Sequence, residues 1–306
     1  MNECKVIAIT NQKGGVGITT TAVNLGVGLA RQGKKVLLID MDPQGSLTLS
    51  LGFKKLDELF PTISDVMKNI IDNGELTTVF PAQKTSEGVF LMPANIELSG
   101  MEVRLVNEMS REQVLRAYVD TVKEHFEFIL IDCMPSLGML TLNALCAADG
   151  VVIPTQPEFL SAKGLEQLIG TIGRVRKRMN PRLKIDGILL TMVDTRTTFA
   201  RDVSALIRQN YGRYTTVFRC HIPRSVRAAE TSAEGKSIFL HDPNKDLYLP
   251  TDEICNKIGE VTTTLPYSRM LARQMLDGSL YERLKDNGYN RKLKELVTQI
   301  LRLEEN

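Results

Sequence analysis

A glycine-rich turn, residues 13–17 (KGGVG), joins a short β-rich run at 5–10 (KVIAIT) to a helical pattern over about 19–32. This junction constrains the fold more than any other feature of the chain. Glycines let successive backbone N–H groups curl around phosphate oxygens, and the helix start adds the positive end of its dipole. The threonine hydroxyl of Thr19 is placed to bind Mg²⁺.

The rest of the first 240 residues repeats the same alternation. Strands are expected at 35–40 (KVLLID), 90–92, 126–132 (FEFILID), 150–154 and 185–193 (IDGILLTMV). Helices are expected at 111–124, 138–147, 163–178 and 199–210. Strands that are apolar on both faces and separated by helices specify a parallel sheet covered on two sides, a doubly wound α/β fold. Ligands in such sheets sit beyond the carboxyl ends of the strands. Three of those ends carry glycine or aspartate: after Thr10, at Asp40 and at Asp132. Composition agrees: 306 residues, 43% hydrophobic and 24% charged, exclude a disordered chain, collagen and a disulfide scaffold. The expected division is a nucleotide-binding domain over 1–242 and an appended helical segment over 243–306. That segment holds 10 basic and 10 acidic residues and two helical patterns, at about 268–285 and 290–303.

The common phosphate-loop pattern G-x-x-x-x-G-K-[ST] fails at Gln12 and Ile18, whereas K-G-G-x-G-K-[ST] fails only at Ile18. With NQKGGVGITTTAVNLG at 11–26, the chain resembles the ParA/MinD family of deviant Walker A ATPases, in its ParA (Soj-like) branch. The resemblance runs on through LLIDMDPQG (37–45), FILIDCMPSLGMLTLNAL (128–145), VIPTQPEFLSAKGL (152–165), GILLTMVDTRT (187–197) and IPRSVRAAETSAEGKSI (222–238). It implies a P-loop NTPase fold, ATP and Mg²⁺ as cofactors, and an ATP-dependent homodimer. It also implies non-specific duplex DNA as ligand, a ParB-like partner, and a role in plasmid or chromosome partition.

The resemblance also implies residue roles. Lys13 is the signature lysine that reaches the phosphates of the other subunit, and Gly14 lies where two loops approach. Gly15, Val16, Gly17, Ile18, Thr19 and Thr20 line the phosphates. Asp42 orients the attacking water. Thr19, Asp40 and the Walker B carboxylate Asp132 belong to the Mg²⁺ shell, and 133–138 is a switch segment in which Met134 stands where the family has a proline. Met192, Asp194 and Pro223 fall where the family contacts the base.

Ile18 is the serious departure. A lysine there bridges β- and γ-phosphate oxygens and stabilises transition-state charge. Isoleucine offers neither charge nor donor, so nucleotide binding survives and efficient hydrolysis does not. A rival reading is a non-catalytic DNA-binding or regulatory protein of the same fold.

Charge supports a polyanionic partner. Residues 171–236 carry 14 Lys/Arg against 5 Asp/Glu, a local +9 in a chain whose net charge is +2. Arg224 and Arg227 fall on positions the family uses for DNA, with Arg196 and Lys236 as further candidates. A MinD-like membrane helix is the weaker alternative. The last helical pattern carries Glu295, Glu304 and Glu305 and has no Trp or Phe on its apolar stripe. Five cysteines without a C-x-x-C, and an opening apolar run too short for a signal peptide, suit a cytoplasmic, nucleoid-associated protein.

Overall fold

The computed structural model describes residues 4–78 and 80–241, without the side chains of 159–163, 226, 227 and 229. The appended segment expected at 243–306 lies outside the described residues. The chain runs β1 (Lys5–Ile9), α1 (Ile18–Arg31), β2 (Val36–Met41), α2 (Ser46–Ser50), α3 (Ile63–Asn73), β3 (Gln83–Lys84), β4 (Phe90–Met92) and α4 (Leu98–Leu105). It continues α5 (Val114–Val122), β5 (Phe128–Cys133), α6 (Met139–Ala147), β6 (Gly150–Thr155), α7 (Phe159–Arg178), β7 (Lys184–Val193), α8 (Thr198–Tyr211), β8 (Val217–Pro223), α9 (Val226–Glu234) and α10 (Ile238–His241).

Eight strands form one sheet in the order β3-β4-β2-β5-β1-β6-β7-β8. Every neighbouring pair is parallel except β3 with β4. The fold is a doubly wound, mostly parallel α/β sheet of the P-loop NTPase type. The period-2 alternation of side chains splits each central strand between two apolar layers. Val6 and Ala8 of β1 join Leu37, Ile39, Ile129 and Ile131 beneath α3 to α8. Ile7 and Ile9 join Val36, Leu38, Leu130 and Val152 beneath α1, α2 and α10. Gly26 of α1 is required by this packing: a Cβ there would stand 2.7 Å from Leu38 Cδ2.

Among the described residues the expected elements are present, most with shifted ends. The helix expected at 111–124 begins at Val114, and the strand expected at 126–132 begins at Phe128. The helix expected from 163 begins earlier, at Phe159. Of the five helices and strands between 46 and 105, the pattern reading places only β4. For α3 a signal exists: Ile63, Val66, Met67 and Ile70 fall at helical spacing, and Asp65 accepts the Thr62 N–H at 2.8 Å. The edge strand β8 alternates half-buried and exposed residues, so it shows no apolar run.

A buried carboxylate lies at the end of the sheet opposite the phosphate loop. Register between β6 and β7 slips at Val151/Val152, and Asp186 is the residue passed over. Its side chain is 1% exposed, lies 3.5 Å from Lys5 Nζ and fills the space a Cβ of residue 150 would need, which is why Gly150 stands there. Burial pushes the Asp186 carboxyl up to about 6, with Lys5 pulling the other way. A raised folded-state pKa means that stability is fully present below about pH 4 and is lost as pH rises through 6. Asp186→Asn is therefore expected to be more stable than the parent at pH 8, by up to about 3 kcal/mol, with the gap closing near pH 4. Urea unfolding of both proteins across that range checks this; a constant gap would refute it.

Candidate phosphate-binding site

The loop after β1 is built for an anion. Gly15 (φ 73°) and Gly17 (φ 86°) take left-handed conformations that side chains disfavour. Gly17 opens α1, where no side chain caps the helix and the first turn carries no acidic residue. The N–H groups at the start of a helix lack intrahelical partners, so those of residues 18–20 are available to phosphate oxygens. Apart from its chain neighbours, no atom of the described residues lies within 4 Å of where a Cβ of residue 15 would stand, so the backbone there is open to a ligand.

Three side chains that the sequence reading does not assign hold this loop, and a fourth acts near it. Asn11 accepts the Lys13 N–H (3.0 Å) and donates to Pro154 O (2.6 Å). Gln156 Nε2 donates to Gly15 O at 2.9 Å, and Thr191 Oγ1 donates to Val16 O at 2.7 Å. Glu102 acts one step further away, on the start of α6. Asn11, Gln156 and Thr191 fall within the motifs that carry the family resemblance, which is the one signal that could have singled them out. Glu102 lies in none of them.

Sheet order brings the three marked strand ends together, because β5 lies between β1 and β2. Asp40 and Asp132 are register partners on β2 and β5. Both are buried, at 0% and 1% exposure. Asp40 is committed internally: Oδ2 accepts Thr48 N–H (2.9 Å) and Thr48 Oγ1–H (2.7 Å), and Oδ1 accepts Asp42 N–H (3.1 Å). Among the described residues neither oxygen of Asp132 makes a well-formed hydrogen bond, although the Thr19 hydroxyl lies close enough to favour its charged form. Burial pushes Asp40 up to about 6 against the bonds from Thr48. Burial and the charge of Asp40 push Asp132 well above the ordinary carboxylate range, against the nearby Thr19 hydroxyl. Thr10 Oγ1 and Gln12 Oε1 are likewise buried without a well-formed hydrogen bond.

Buried polar atoms left without partners are costly, and a ligand that supplies the partner removes the cost. The residues present fit Mg²⁺, which keeps several waters and takes one or two protein oxygens plus substrate phosphates. Thr19 and Asp132 offer that donor set, and Asp40 holds Asp42 in place through its N–H. Asp42 in turn accepts the Gln44 N–H at 2.9 Å, so its carboxylate is steadied at the mouth of the loop.

The remaining expected residues fall into three groups. Lys13 Nζ pairs with Glu158 of its own chain at 2.5 Å. Beside Gly14, Pro135 Cγ lies 3.7 Å from where a Cβ would stand. Ile18 is 7% exposed and packs in the apolar layer with Val16, Ala22 and Ile9, on the core side of the loop.

Met192, at φ 51°, lies over the loop: its Cε is 3.8 Å from a Cβ at Gly17, and its sulfur meets Gln156 Nε2 at 2.8 Å. Asp194 is held by both arms of Arg196 at 2.8 Å, which draws its carboxyl down to about 2. Pro223 ends β8 opposite Val193.

Arg224 follows Pro223 on the same rim, with its N–H on Val193 O at 3.3 Å. Lys236 lies beyond α9, paired with Glu234 at 3.3 Å. Arg227 is on α9, and its side chain lies outside those described. Among the described residues no helix is long and apolar enough to cross a membrane, and Cys4, Cys133, Cys146 and Cys220 are unbridged.

Comparison with known proteins places these features in context. A family described as an AAA domain matches residues 4–185. The sporulation initiation inhibitor protein Soj of Bacillus subtilis is 45% identical over 239 residues, covering 78% of this chain and 92% of Soj. The chromosome partitioning protein ParA of Caulobacter vibrioides is 43% identical over 244 residues, covering 79% and 88%. Among solved structures, cobyrinic acid a,c-diamide synthase from Mycobacterium smegmatis, with bound ADP and magnesium, superposes with a TM-score of 0.66 at 38% identity. That match covers 79% of this chain and 96% of the other.

Proposed function

Because the chain belongs to the ParA/Soj family of partition ATPases, we propose that it binds ATP and Mg²⁺ and pairs through the nucleotide. In this reading the dimer binds duplex DNA without sequence preference and turns ATP over at a rate near background. One observation carries it: the uncapped start of α1 behind Gly15 and Gly17 faces the same strand ends as the Asp132 carboxylate, neither oxygen of which makes a well-formed hydrogen bond. Mg²⁺ in such a site neutralises charge on the phosphate oxygens.

The chain's own residues divide the remaining work. Amides of 15–20 hold phosphates, Thr19 and Asp132 hold the metal shell, and Asp42 is set to orient a water. Met192, Asp194 and Pro223 form the rim on which a base would rest. Ile18 supports binding without turnover, since its side chain is packed with the core and supplies no cation to the phosphates. The local +9 over 171–236, with Arg224 on the exposed rim, supports a polyanionic ligand, and a ParB-like protein is the expected second partner. Partition of plasmid or chromosomal DNA in the cytoplasm, on the nucleoid, is the setting this reading implies.

Lys13 makes the pairing step testable. In the single chain it lies on Glu158, and to reach a second subunit it must leave that ion pair. An exposed pair is worth only about 0.2–1 kcal/mol. Glu158→Gln should therefore tighten nucleotide-dependent pairing by no more than several-fold, whereas Lys13→Ala should abolish it. A bulky residue at Gly14 should block pairing and spare monomer binding, since a Cβ there meets Pro135 only at ordinary contact distance, 3.7 Å. Sedimentation velocity with ATP–Mg²⁺ over a wide range of protein concentration measures all three. A stable dimer without nucleotide, indifferent to Lys13→Ala, would refute the proposal.

A further inference from the structure

Glu102 on α4 takes no part in the phosphate loop, yet both its oxygens are committed. Oε1 accepts the Met139 N–H at 2.6 Å and Oε2 accepts the Leu140 N–H at 3.0 Å. These are the first two residues of α6, whose N-cap residue, Gly138, has no side chain to serve them. A carboxylate at a helix start satisfies orphan donors and meets the positive end of the dipole. Here the cap comes from a different helix. Glu102 also occupies the space a Cβ of residue 138 would need, so the close approach requires glycine there.

The consequence falls on 133–138. This segment leaves β5 at Cys133, directly after Asp132, and ends at the clamped start of α6. Inside it, Ser136 N–H bonds Met134 O (2.8 Å) and Gly138 N–H bonds Ser136 Oγ (3.2 Å). Pro135 lies against the loop beside Gly14. Its upstream end is fixed by the sheet and its downstream end by Glu102. Leu98, Met101 and Leu105 bury the other side of α4 in the main apolar layer, so the clamp is mounted on a fixed element.

We propose that Glu102 is a positioning residue: by tying α4 to the start of α6 it holds 133–138 against the phosphate loop, and so makes the site's preference for ATP over ADP depend on α4. The second half of this proposal rests on the nucleotide-binding reading above; the first half does not.

Hydrogen exchange of the nucleotide-free full chain tests the clamp, and titration with ATP–Mg²⁺ and ADP–Mg²⁺ tests its consequence. In Glu102→Ala the amides of 133–140 should exchange about tenfold faster, on the scale of a lost helix cap, while those of β6 and α5 stay as they were. Glu102→Gln keeps the shape and one acceptor, and should show a smaller effect at the same amides; it also serves if the alanine variant folds poorly. The dissociation constant for ATP should rise several-fold more than that for ADP, because this proposal sets 133–138 against the terminal phosphate. A residue that merely stabilised the fold would weaken both nucleotides alike.

Unchanged exchange at 133–140, or faster exchange throughout the domain, would overturn the clamp. Local loosening with an unchanged ATP-to-ADP ratio would overturn its link to the phosphates. A parent chain that binds neither nucleotide would refute the nucleotide reading and with it that link, while the exchange comparison would still decide the clamp.

Discussion

Ile18→Lys is expected to raise ATP turnover by about 10²–10³-fold, the usual worth of one well-placed group that stabilises transition-state charge. The unaltered chain should release phosphate at a rate near background. The structure supports the size of the gain, because the rest of the site is in place. Thr19 and Asp132 are adjacent, Asp42 is steadied by Gln44, and neither oxygen of Asp132 makes a well-formed hydrogen bond. A lysine stem can keep the apolar contacts that Ile18 makes with Val16 and Ala22 while its ammonium extends to the cradle. Asp42→Ala in the lysine-bearing protein should return turnover to background, which separates restored chemistry from a contaminating ATPase. Steady-state phosphate release measures all three proteins. Robust turnover by the unaltered chain would show that Ile18 does not disable the reaction.

Duplex DNA affinity is expected to fall by roughly 10³-fold or more between about 50 and 200 mM salt if several phosphates are contacted. The local +9 over 171–236 motivates this. The structure ranks the contributors. Arg196 is already neutralised by both oxygens of Asp194, and Lys236 is paired with Glu234, so alanine at either should cost little. Arg224 stands on the exposed rim after β8. Arg224→Ala with Arg227→Ala should weaken every sequence alike and flatten the salt slope, since phosphate contacts carry no sequence information. Fluorescence anisotropy on two unrelated duplexes over that salt range measures both effects. A flat salt dependence of the unaltered protein, or a loss confined to one duplex, would refute non-specific phosphate binding.

Local pattern was enough to locate the strand-loop-helix at 5–31 and the strands β2, β5, β6 and β7. Each signal there is carried by neighbours in sequence: glycines at 14, 15 and 17, and apolar runs long enough to be buried on both faces. The same local view named Asp40 and Asp132 as strand-end carboxylates, and the family resemblance added Asp42. It could not say that they meet. The order β2-β5-β1 does that, and strand order in a parallel sheet is set by crossovers that leave no mark on the residues they join.

The short elements α2, α4 and β8 also escaped. α2 is only five residues long and β8 is a largely half-exposed edge strand, so their own periodicity is weak, while α4 does carry helical spacing at Leu98, Met101 and Leu105.

Side-chain partnership was decided by tertiary structure alone. That Ile18 stands where the resemblance leads one to expect a lysine is legible in the sequence; that its side chain is buried with the core is a matter of where the sheet lies. Lys13 and Glu158 are 145 positions apart, and Glu102 and Met139 are 37 apart. Neither pair has a spacing rule, because each is made by two elements that the sheet happens to bring side by side. The kind of chemistry the chain can do follows from which residues follow which. That Asp132 is left without a well-formed hydrogen bond among the described residues, that Asp40 is spent on bracing, and that Lys13 lies on Glu158 follow from burial and long-range geometry.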